Sequence, residues 1–149
     1  MVSDSNARIF GGHNVRVAYS SVMDREYQRL MLAEYTGAII GSAMEVLNHL
    51  GNGLAEKPYE NALVVEFGLR DIAVDQQPRF DVQYKGRLVG EFIPDLIAFG
   101  RIVVDTKVIE RITDQELGQM MNYLRITQLN LGVILNFKRP RLEWKRVVL

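Results

Sequence analysis

The chain has 149 residues, 48% of them hydrophobic, enough for one domain with a sizeable core. Its 18 basic and 18 acidic residues cancel, so it lacks the excess positive charge of a protein that holds nucleic acid by bulk electrostatics alone. It has no cysteine, which excludes disulfides, thiolate zinc sites and cysteine nucleophiles.

Residues 1 to about 25 are the least patterned. They lack the apolar core of a signal peptide, and no uninterrupted apolar run nears the roughly 20 residues of a membrane span. A cytoplasmic protein without membrane contact is therefore expected. Gly11-Gly12 reads as a flexible point, and Val15, Val17 and Tyr19 alternate like a short edge strand. From about Glu26 to Leu50 the pattern is helical, with Ile39, Ile40, Ala43, Met44, Leu47 and Leu50 as one apolar stripe. Gly51-Asn52-Gly53 stops this helix. A second helix is predicted from Pro58 to about Gly68, with Ala62, Leu63, Glu66 and Phe67 on one side.

Phe80, Val82 and Tyr84 alternate before a Lys85-Gly86 turn, and Leu88 to Phe99 supplies a return strand with Pro94 as a bulge or edge point. After Gly100-Arg101, Ile102-Val103-Val104 opens a central strand. Thr113-Asp114-Gln115-Glu116 matches a capping box, so a helix starts there and runs to about Ile126. Leu131–Phe137 reads as a buried strand, and Leu142, Trp144, Arg146 and Val148 as an alternating last one. Helix, helix, three-strand meander, helix, strand, strand indicates an α/β sandwich around a mixed sheet.

The chemistry concentrates at Pro94-Asp95 and Asp105-Thr106-Lys107. Strand alternation puts Asp105 and Lys107 on one side and Thr106 on the other. The turn at Gly100-Arg101 brings Asp95 opposite Asp105. Two carboxylates so close repel unless a cation lies between them, and Mg²⁺ accepts one or two carboxylates while keeping its waters. Lys107 would then orient or deprotonate the attacking water, or stabilise charge developing on phosphorus. Glu45, off the apolar stripe and flanked by Ala38, Gly41 and Ser42, is a candidate third ligand. Gln119 and Tyr123 share a helix face and can hydrogen-bond a phosphate or water. Lys138, Arg139 and Arg141 form a basic run suited to phosphate contacts. No phosphate-binding glycine loop or dinucleotide fingerprint is present, and His13 and His49 are too far apart to suggest a local metal pair.

Gly53, Glu56 and Tyr59 have the form G-x-x-E-x-x-Y. With Thr36–Glu45, Pro94-Asp95-Leu96, Asp105-Thr106-Lys107, Gln119, Asn122-Tyr123-Leu124 and Gly132–Phe137, this makes the chain resemble the GxxExxY family, a branch of the PD-(D/E)XK nuclease superfamily. The resemblance covers about Tyr35 to Leu149, leaving residues 1–34 as an N-terminal extension to a domain at 35–149. It implies a restriction-endonuclease-like α/β sandwich, a Mg²⁺ or Mn²⁺ site and phosphodiester cleavage. Asp95 and Asp105 match the metal-binding acids, Lys107 the catalytic lysine, and Glu45 the first-helix glutamate. Gln119 and Tyr123 match a Q-x-x-x-Y element. Relatives usually carry glutamate at the position of Asp105, one methylene longer. The expected substrate is nucleic acid, DNA ahead of RNA, with dimerisation or a partner protein supplying specificity. The alternative is a catalytically inactive nucleic-acid-binding or assembly module on the same fold.

Overall fold

A computed structural model describes residues 13–149. The chain divides into two compact units, one up to Thr36 and the other Gly37–Leu149. Gly11-Gly12 lies outside the described residues.

Helix α1 is His13–Leu50. The edge strand expected at Val15, Val17 and Tyr19 is therefore helix. No glycine or proline lies between His13 and Thr36, so nothing interrupts propagation of the helix back through these β-favouring residues. Asp24–Leu50 is long and apolar enough to cross a membrane by length and composition, yet Ile39, Ala43, Val46 and Leu47 are buried in the fold. The buried stripe is turned from the expected one. Val46 is inside, whereas Met44 and Leu50 are exposed.

Helix α2 is Glu56–Leu69, so Pro58 lies in its first turn, where a missing N–H costs no helical bond. Its buried residues are Tyr59, Glu60, Leu63 and Phe67, not the expected Ala62 and Glu66. A short strand that the sequence pattern did not reveal, β1 (Val74–Gln76), follows.

The expected three-strand meander separates into two sheets. Strands β2 (Phe80–Tyr84) and β3 (Arg87–Phe92) form a two-stranded hairpin of their own. Lys85 and Gly86 both have positive φ, as a two-residue hairpin turn needs. The return strand ends at Ile93-Pro94-Asp95, and a new strand, β4 (Leu96–Ala98), enters the main sheet fully buried. Proline lacks the N–H that a continuous ladder would need there.

The main sheet runs β1-β4-β5-β6-β7, with β5 at Ile102–Lys107, β6 at Leu131–Asn136 and β7 at Glu143–Val148. It is mixed: β5 and β6 are parallel and the other pairs antiparallel. The parallel pair is joined by α3 (Asp114–Thr127), whose capping box at Thr113 and Glu116 forms as expected. Met120 and Leu124 of α3 pack with Val103, Ile134 and Val147 on one face of the sheet. Helix α2 lies against β1 and β5. The result is the α/β sandwich, a mixed sheet flanked by helices.

Candidate active site

The antiparallel register pairs Leu96 with Val104, so Asp95, one step back, falls beside Asp105, one step on. Asp95 is clamped. One of its oxygens, Oδ2, accepts from the Thr106 backbone N–H at 2.9 Å and from the Thr106 hydroxyl at 2.8 Å. Its carbonyl accepts from the Gln77 N–H at 2.9 Å. The Thr106 side chain, expected to point away from the site, is therefore buried and holds one wall of it.

Asp105 and Lys107 share the other side of β5, with Lys107 Nζ 3.3 Å from Asp105 Oδ2 and only 14% of the Asp105 side chain exposed. Burial pushes the Asp105 carboxyl up to about 7; the Lys107 ammonium opposes the shift and Asp95 adds to it. Burial alone would lower Lys107, but Asp105 outweighs it and the ammonium stays above its ordinary range. Lys107 is thus a charged donor at neutral pH. This favours stabilisation of negative charge over proton abstraction by its side chain.

Gln119 is exposed and accepts from Lys107 Nζ at 3.2 Å, so it orients the lysine. Tyr123 lines the cleft and stacks on Phe92, with ring centroids 4.0 Å apart. Burial, together with the nearby Asp105, holds its phenol above the usual range, so it remains a neutral donor.

These groups surround a cleft of about 180 Å³ lined by Phe92, Asp95, Asp105, Lys107, Tyr123 and Glu56. Glu45 is absent from this lining. It is exposed and borders a separate depression with His49, Val65 and Glu66. The expectation for Glu45 fails in geometry because the helix phase differs, and Glu56 occupies the place expected of it. Glu56 opens α2, and its Oε1 accepts from the Val108 N–H, just past β5, at 3.3 Å.

The G-x-x-E-x-x-Y residues now have distinct parts. Gly53 has φ +109°, a conformation that glycine adopts without strain. Tyr59 is fully buried and stacks on Phe137 at 4.6 Å. Its hydroxyl donates to the Gly51 carbonyl at 2.6 Å and accepts from the Leu54 N–H at 3.2 Å. The tyrosine thus staples the loop that delivers Glu56. Next to it, buried Glu60 accepts from Lys57 at 2.7 Å and Gln76 at 2.6 Å.

A second buried polar cluster braces the far side of Lys107. Asn136, its register partner, accepts from the Ile109 N–H at 3.1 Å and donates to the Ile109 carbonyl at 2.8 Å and to Glu143 at 2.9 Å. Glu143 in turn accepts from the Ile112 N–H at 2.8 Å. The segment after β5 is therefore fixed at several points. Asn136 was visible in sequence only as part of a motif, and Glu143 carried no signal.

Of the basic run, Lys138 and Arg139 both face Glu110, at 3.9 and 3.1 Å. Arg141 borders another depression, with Met44, Asn48 and Trp144. None of the three lines the cleft.

Among the described residues, no three His, Asp or Glu side chains converge into a complete metal-ligand set. Asp95 and Asp105 still suit a hard divalent cation. They offer carboxylate oxygens beside a cleft, and the raised Asp105 marks negative charge that the protein alone leaves undercompensated. Such a cation needs only one or two carboxylates.

The model of the PD-(D/E)XK nuclease superfamily matches residues 33–147. The chain belongs to this superfamily. No curated protein and no solved structure matches it. Pro94-Asp95 and Asp105-Thr106-Lys107 lie inside the matched span, where the sheet geometry brings two acids and a lysine together.

Proposed function

We propose that the protein is a metal-dependent nuclease that hydrolyses phosphodiester bonds of nucleic acid, with DNA the first substrate to test and Mg²⁺ or Mn²⁺ the metal. The observation that carries this reading is the Asp95–Asp105 pair at the β4–β5 register with Lys107 beside it in one cleft. Membership of the nuclease superfamily supports the reaction class.

Asp95 and Asp105 would hold the cation, which supplies positive charge against the phosphoryl oxygens. Thr106 fixes the Asp95 carboxylate so that it need not reorganise. Lys107, charged and oriented by Gln119, lies where it can neutralise charge developing on the phosphate. Glu56 faces the same cleft from the start of α2 and is the carboxylate available to orient or deprotonate water. Tyr123 offers a neutral hydroxyl to a phosphate oxygen.

The test is cleavage of labelled single- and double-stranded DNA and RNA with Mg²⁺ or Mn²⁺, against a chelator control. Cleavage should require the metal and be lost in Asp95→Ala, Asp105→Ala and Lys107→Ala. A folded protein that binds Mn²⁺ yet cleaves none of these substrates overturns the reading.

A further inference from the structure

The β2–β3 hairpin stands apart from the main sheet, and its base forms part of the cleft through Phe92 and Ile93. Phe80 pairs with Phe92 and Val82 with Gly90, and Phe92 stacks on Tyr123. This defines the cleft-facing side of the hairpin. Asp81 and Glu91 pair with each other on the opposite side, where Arg79 bonds Glu91 at 2.9 Å.

The register then shifts between Val82 and Gln83, so that Gln83 pairs with Leu88 and Tyr84 with Arg87. Val89 is the extra residue on β3. Strict alternation from Phe92 would put Arg87 on the side of Asp81 and Glu91. The bulge reverses that parity and turns Arg87, with Tyr84, to the side of Phe92. Tyr84 is 63% exposed, and Lys85 Nζ lies 5.3 Å from the centre of its ring. Among the described residues, neither Lys85 nor Arg87 has an acid in salt-bridge range. The tip therefore presents an exposed aromatic ring and two uncompensated cations on the cleft side, with the acids turned away.

We propose that this tip grips a single nucleic-acid strand leading out of the cleft: Lys85 and Arg87 hold phosphates and Tyr84 stacks on an unpaired base. The proposal rests on the nuclease reading for the identity of the occupant. A single strand is favoured over a duplex because the exposed Tyr84 ring offers a stacking face to a base, and a duplex hides its base faces in its own stack. From Phe92 to Arg87 the strand covers roughly 15 Å.

The experiment compares the parent with the double variant Lys85→Ala/Arg87→Ala and with Tyr84→Ala. Binding of a fluorescent single-stranded oligonucleotide longer than that span is measured without divalent cation. Hydrolysis of bis(p-nitrophenyl) phosphate, too small to reach the tip, is measured with Mn²⁺. Each variant should bind the single strand about tenfold more weakly, and the double variant should show a shallower salt dependence. Arg87→Lys, which keeps the charge, should retain most of the affinity. Duplex binding and hydrolysis of the small ester should match the parent. Unchanged single-strand affinity overturns the grip, and an equal loss on duplex overturns the choice of a single strand. A parent that with Mn²⁺ cleaves neither the small ester nor any nucleic acid fails the nuclease reading, a result separate from either binding outcome.

Discussion

Thr106 holds Asp95 through two hydrogen bonds to a single oxygen, one from its backbone and one from its hydroxyl. The central residue of Asp105-Thr106-Lys107 is thus as much a part of the site as the two that flank it. Its side chain reaches the carboxylate from the opposite side of β5.

Thr106→Val keeps the backbone bond and the shape and removes the hydroxyl. A hydrogen bond to a charged group contributes about 1.5–3 kcal/mol, and the isosteric methyl avoids a cavity. Stability should fall by about that amount, and cleavage should fall as well, because Asp95 is then held by the backbone bond alone. Thr106→Ser should restore cleavage more than stability. Thermal melts and cleavage rates on the same preparations decide this; a Thr106→Val protein as active as the parent contradicts it.

Asp105 gives a pH signature. Its folded-state carboxyl titrates at about 7 against an ordinary 3.8, so between those values the folded protein holds a proton that the unfolded chain has released. Stability of the metal-free protein should therefore decline as pH rises from about 4 to about 7 and level off above that. Asp105→Asn should remove that decline. Added Mg²⁺ or Mn²⁺ competes with this proton, so its stabilisation should be larger at pH 8 than at pH 5.5. Melting temperatures across pH, with and without metal, test both parts. A metal effect that grows toward acid pH rules the assignment out.

Glu56 and Glu45 make opposite predictions. Glu56→Gln should reduce cleavage by about 100-fold, the scale of a lost acid–base group, with little change in fold. Glu45→Gln should leave cleavage and Mn²⁺ affinity at parental levels. If Glu45→Gln is the damaging change, the placement of Glu56 in the cleft does not describe the working enzyme.

Tyr59→Phe keeps the stack on Phe137 and removes both loop bonds. Gly51 and Leu54 are exposed and can turn to water, so the loss of each bond should cost about 0.5–1.5 kcal/mol. Cleavage should drop through misplacement of Glu56. The decisive comparison is Tyr59→Phe in a Glu56→Gln background, where the further loss of cleavage should be small because the two changes act through one group.

Much of the candidate site is legible in the sequence, because local rules govern it. The spacing across Gly100-Arg101 placed Asp95 against Asp105, alternation aligned Asp105 with Lys107, and Thr113 and Glu116 announced α3. What sequence missed was decided by tertiary packing. Met44 and Leu50 were as apolar as Val46, and only the neighbours of α1 choose which side is covered; that choice of phase carried Glu45 away from the cleft. The split of the long return strand at Pro94 was signalled by the proline, but membership in one sheet or another depends on what each half meets. Leu96-Ile97-Ala98, apolar throughout, suited the buried sheet, while Arg87–Phe92 suited an exposed hairpin. The brace from Glu143 to Ile112 spans 31 residues and no local pattern encodes it.

The bond from the Val108 amide to Glu56 has a practical consequence. A carboxylate drawn toward a cation or a water must loosen its hold on that amide. Val108 is therefore a built-in spectroscopic reporter. In an ¹⁵N-labelled sample its amide resonance should shift on titration with Mg²⁺ and exchange faster with solvent, while the Thr106 amide, held by Asp95, stays protected. Occupancy of the cleft could then be followed without a substrate, a label or any turnover.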